Sequence, residues 1–113
     1  MRPGISRRSD GVAGKLMTFA EFEASCSKSK PPAGLSPALV ALWWDTKDDW
    51  GKAHKIVMDE QGKDCAWVHA YLHRREGDLE NARYWYAQAG RPEAKGSLPA
   101  EWARITREIL REI

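Results

Sequence analysis

The chain has 113 residues, 42% of them apolar and 30% charged, which is the make-up of one ordinary globular domain large enough to bury a core. A formal charge of +2, with acids interspersed among the basic residues, gives no electrostatic stripe for nucleic acid. No apolar run approaches the ~18–20 residues a membrane span needs. Two isolated cysteines, Cys26 and Cys65, argue against a zinc cluster or a disulfide framework and fit a reducing cytoplasm.

Residues 1–15 carry Pro3, Gly4, Gly11 and Gly14 with few large apolar groups, and are expected to form a mobile basic tail ahead of a single all-α domain over 16–113. Thr18 and Glu21 make a capping-box pattern, and Phe19, Phe22 and Cys26 repeat behind them at helical spacing, so a first helix is expected from about Thr18 to Lys28. Ser36 followed by Pro37 opens a second helix that runs to about Thr46. Asp48 or Asp49 caps a third, which Gly62 ends after Gln61.

The same punctuation then recurs. Asp64 is expected to cap a fourth helix that stops at Gly77, and Asp78 a fifth that stops at Gly90. Connections this short force neighbouring helices antiparallel. A last helix begins near Pro99 and aligns Trp102, Ile105, Ile109 and Ile113 in one stripe. Laying residues 41–57 over 70–86 matches Ala41, Asp49 and Ala53 to Ala70, Asp78 and Ala82, each 29 positions on. These are cap and close-contact positions, so the chain reads as two consecutive antiparallel helical hairpins with flanking helices, five to six in all, and no strand.

At Gly77, Asp78, Ala82, Tyr86 and Ala89 the second hairpin resembles a tetratricopeptide repeat, in which small residues occupy the places where paired helices touch. Residues 39–92 also resemble a family of small microbial helical proteins with the signature HAYLHR-x-EGD-x-x-NA-x-YWY. That likeness implies no particular activity. It does direct attention to His54, His69, His73, Arg74, Glu76, Asp78, Asn81, Tyr84, Trp85 and Tyr86.

His69 and His73 are one turn apart on the helical face that also holds Ala66 and Ala70. Two imidazoles are not a metal site, and HAYLH lacks the glutamate that follows the first histidine of a zinc-protease helix. His54 is the available third ring. Glu76 and Asp78 are better explained as a solvated helix end and a cap than as an acid–base pair. The expectation is therefore a binding module, not an enzyme, with no catalytic residue, metal ligand or cofactor assigned. Its groove would present His54, His69, His73, Arg74, Asn81 and Tyr84 to a polar small molecule or a peptide, with no nucleic-acid or membrane partner.

Two alternatives stand beside it. In one, the three histidines converge to within roughly 4–5 Å, with Asp45 or Glu60 nearby, and support a metal-dependent hydrolase. In the other, the imidazoles only hydrogen-bond neighbouring helix ends at a packed seam.

Overall fold

The computed structural model describes residues 17–112, so the expected tail over 1–15 and the last stripe residue, Ile113, lie outside the described residues. Six helices are present among the described residues, and no strand. They are α1 (Phe19–Ser25), α2 (Pro37–Asp45), α3 (Trp50–Met58), α4 (Lys63–Glu76), α5 (Leu79–Ala89) and α6 (Leu98–Arg111). Among the described residues, no helix is long and apolar enough to cross a membrane.

Most boundaries have the stereochemical cause the sequence carries. Thr18 accepts from the Glu21 amide while Glu21 accepts from the Thr18 amide, closing the capping box of α1. Ser36, Asp49, Asp78 and Ser97 each accept a first-turn amide of α2, α3, α5 and α6. Gly77 and Gly90 end α4 and α5 in the left-handed conformation.

The α3–α4 junction departs from expectation. α3 ends at Met58, three residues before Gln61. Gly62 is the N-cap of α4, with φ near 111°, and contributes no side-chain bond. Asp64 lies inside the first turn, where its charge suits the positive end of the helix dipole without capping it. A glycine between two helices serves equally as a stop or a start, which is why the pattern misleads here.

α4 organises the domain. Its positions Cys65 through His73 are all buried, so it lacks a solvent face over more than two turns. Burial on every side requires neighbours on every side. α5 packs most extensively against it, and α3, α2 and α6 also contact it. The α4–α5 seam holds Ala70, Ala82, Tyr86 and Ala89, all buried, which is the small-residue docking expected of a helical hairpin. α2 and α3 form the other extensive pair, and Ala41 and Ala53 are fully buried within it. Of the adjacent indoles on α2, Trp43 is fully buried and Trp44 half-buried, since neighbours about 100° apart cannot share one seam.

Two polar networks tie α4 to distant helices. Arg74 donates to Glu101 Oε1 at 2.8 Å and to the Gly96 carbonyl, and the same buried Glu101 accepts from Tyr86 Oη. Arg75 donates to Asp45 and Asp48, while Tyr71 Oη donates to Asp45 Oδ2 at 2.9 Å. Asp45 and Glu101 are thus buried carboxylates with both a guanidinium and a phenol, the partnering that makes a buried charge tolerable.

Gly51 and Gly77 separate conformational from steric effects, because an added Cβ meets nothing within 4 Å at either site. Gly77 has φ near 90°, whereas Gly51 sits in the first turn of α3 with no such restriction. Gly77→Ala is expected to destabilise the fold by about 1–2 kcal/mol. Gly51→Ala should stabilise it by about 0.4–1 kcal/mol. Denaturant midpoints of the two variants test this pair.

Candidate histidine centre

The local sequence sets up the cluster before any tertiary contact forms. His69 and His73 are four residues apart on α4, which stacks their rings with centroids 4.9 Å apart and 27° between planes. α3 packs on α4 and brings in the third ring. His54 Nε2 lies 3.1 Å from His69 Nε2, and its centroid is 5.1 Å from that of His73. One nitrogen from each of the three imidazoles falls within a sphere where all separations are at most 4.8 Å.

Aromatic rings fix two of these side chains. Trp50, one turn before His54 on α3, lies flat on it at 4.5 Å and 12°, while its own indole N–H donates to the Leu72 carbonyl at 2.7 Å. Trp85 of α5 lies flat on His69 at 4.0 Å and 14°. His69 and His73 are only 3% and 6% exposed, whereas His54 is half-buried and forms the solvent side of the centre.

The bonding of the ring nitrogens is uneven. His73 Nδ1 lies 2.7 Å from Glu76 Oε2. With Glu76 Oε2 as the acceptor, Nδ1 is the donor, and Nε2 has no hydrogen-bond partner among the described residues. One proton at most can sit between the Nε2 atoms of His54 and His69, so one ring donates to the other. His69 Nδ1 is buried and has no hydrogen-bond partner among the described residues. A lone pair is the less costly group to leave there, which favours His69 Nε2–H donating to His54.

Burial, reinforced by the neighbouring His54 and His73, lowers the His69 pKa to about 4. Burial also lowers that of His54, with His73 adding to the effect and Glu76 opposing it. Stacking on Trp85 would favour an imidazolium by roughly 0.5–2 kcal/mol. The lowering of the His69 pKa comes from burial and from the two neighbouring imidazoles. At neutral pH these two rings are uncharged, the state in which imidazole binds metals.

The remaining residues expected in the groove lie elsewhere. Arg74 is held by Glu101 and the Gly96 carbonyl and acts as a strut between α4 and α6. Asn81 donates to Asp78 from both its backbone and its side-chain nitrogen, at 3.3 and 3.4 Å, and so completes the α5 cap. Tyr84 is 56% exposed and lines, with Asp78, Glu80 and Asn81, a separate open depression. Asp45 belongs to the Tyr71–Arg75 network, and Glu60 borders clefts near the start of α4, so neither is the carboxylate of the histidine centre. That carboxylate is Glu76, whose place beside Arg74 and Arg75 in the sequence suggests only a solvated helix end. Its signal was the i,i+3 spacing from His73.

Comparison with known proteins returned no matching family, no similar curated protein and no similar solved structure. The functional reading therefore rests on the site itself.

The depressed pKa of His69 makes stability pH-dependent. The unfolded chain binds a proton near pH 6.5 that the folded chain resists until about pH 4. The His69 contribution to stability is thus complete above pH 6.5 and is lost as pH falls through this window. Thermal melts from pH 7 to pH 4 are expected to show a falling Tm. The fall should be smaller in His69→Phe, which has nothing to protonate at that position.

Proposed function

We propose that this protein is a metal-binding helical module in which His54, His69 and His73 take a divalent cation of the zinc, copper or nickel class. The observation that carries this reading is the convergence of three imidazole nitrogens from two helices within 4.8 Å. Zinc–nitrogen bonds of ~2.0–2.1 Å in tetrahedral geometry place ligand nitrogens roughly 3.3 Å apart. The His54–His69 Nε2 separation of 3.1 Å needs only a small adjustment. Imidazole donors suit these metals better than magnesium or calcium, which prefer oxygen.

The surroundings fit the same role. Glu76 on His73 Nδ1 is the carboxylate that orients a ligating histidine and raises its basicity. His54, half-exposed, has its other nitrogen within reach of solvent. The buried Nδ1 of His69 has no acceptor, which makes His69 the least supported of the three ligands. Metal binding is favoured over hydrolysis because Glu76, the carboxylate that reaches the cluster, is already committed to His73.

A second reading, a polar ligand or peptide gripped by Asn81 and Tyr84, draws on their shared depression with Asp78 and Glu80. The histidines supply no wall of that depression. A tetratricopeptide-like hairpin as scaffold, the likeness to the HAYLHR-x-EGD family and a cytoplasmic setting that keeps Cys26 and Cys65 reduced complete the proposal.

Titration calorimetry of tag-free, chelator-treated protein with zinc sulfate should give one site per chain. His54→Ala or His73→Ala should abolish it, and Glu76→Gln should weaken it about 10–100-fold. A folded protein that binds no zinc, copper or nickel at millimolar concentration overturns the reading. In that case, amide shifts at Asn81 and Tyr84 on adding peptides would establish the second one.

A further inference from the structure

A cleft of about 460 Å³ lies where α6 begins beside the ends of α1 and α2, and it shares no lining residue with the histidine centre. Its apolar wall is Leu98, Pro99, Trp102 and Ala103, from the first two turns of α6. Trp102 is a rigid part of that wall. Its indole N–H donates to the Leu42 carbonyl at 3.1 Å, and its ring packs against Phe19 and Phe22 at centroid distances of 6.0 and 5.9 Å.

The facing side is polar and carries excess negative charge. Asp45, Asp48 and Glu23 supply three carboxylates and Arg75 one guanidinium, leaving a net charge of −2. Arg75 is spent on Asp45 and Asp48, and Glu23 makes no ion pair among the described residues. Tyr71, also in the lining, donates its hydroxyl to Asp45 Oδ2 at 2.9 Å. Asp48 is the one non-glycine residue among the described residues with positive φ, at 59°, and this left-handed turn brings its carboxylate to Arg75 at the rim.

We propose that this cleft binds a small organic cation, an amine carried on an aromatic or aliphatic body. The body would lie along Trp102, Leu98 and Pro99. The ammonium would sit between Glu23 and Asp48, gaining from the carboxylates and from the indole face. An anion meets two uncompensated charges there, and a neutral molecule forgoes the electrostatic attraction.

Phenethylammonium chloride, with phenylacetate and phenylethanol as anionic and neutral counterparts, tests the assignment by amide and indole chemical-shift mapping. The cation is expected to shift the Trp102 indole N–H and the amides of Glu23, Asp48 and Tyr71. Phenylacetate should leave them unmoved, and phenylethanol should bind more weakly. Glu23→Gln combined with Asp48→Gly is expected to weaken the cation about tenfold. Glycine there retains the left-handed backbone, and both side chains are exposed. Should that variant fold poorly, wild-type affinity should still fall as salt rises from 20 to about 500 mM. Shifts located elsewhere, equal binding of the neutral analogue, salt-independent affinity or no shift at about 10 mM ligand would each overturn the proposal.

Discussion

The all-round burial of α4 is the constraint on which the rest of the domain depends. Nine consecutive positions, Cys65 to His73, leave no face for water, so the chain must supply cover on each side. α5 does this through the Ala70, Ala82 and Ala89 seam, and α2, α3 and α6 cover the rest. Because His69 and His73 belong to that run, two imidazoles enter the interior as a consequence of helix packing. His54 then meets them because α3 is one of the covering helices. The histidine centre and the fold share a single cause.

Buried polar rings require partners, and the protein provides them unevenly: a carboxylate for His73, a second imidazole for His69 and His54, and flat indoles on two of the three. The one buried side-chain nitrogen among the described residues with no partner, His69 Nδ1, lies in the same cluster. Sequences that only need to pack seldom keep such a group, since an unsatisfied buried atom costs roughly 1–3 kcal/mol. That cost weighs against His69 as a ligand, so the proposed metal site rests on the convergence of the three rings.

Local chemistry made most of the architecture legible. A capping box, a Ser-Pro start, Asp78 after Gly77 and a glycine at position 90 each act within three or four residues, and helix ends that depend on them were readable. Gly62 was ambiguous because its positive φ serves either helix it separates. The histidine cluster was half legible: the i,i+4 pair follows from helix geometry, while the approach of His54 depends on how α3 docks. Least accessible were the two carboxylate–arginine–tyrosine networks, whose members lie 15 to 30 residues apart. Arg74 illustrates the difficulty. Its signature position suggested a groove, yet its guanidinium is used to secure α6.

Flat contact between Trp85 and His69, and between Trp50 and His54, couples two of the six tryptophans to the charge on the rings beneath them. An indole excited by ultraviolet light passes an electron more readily to an adjacent imidazolium than to a neutral imidazole, so its emission registers whether that neighbour is protonated. The domain therefore carries its own optical gauge of the centre, built from the same stacked rings that hold the histidines in place.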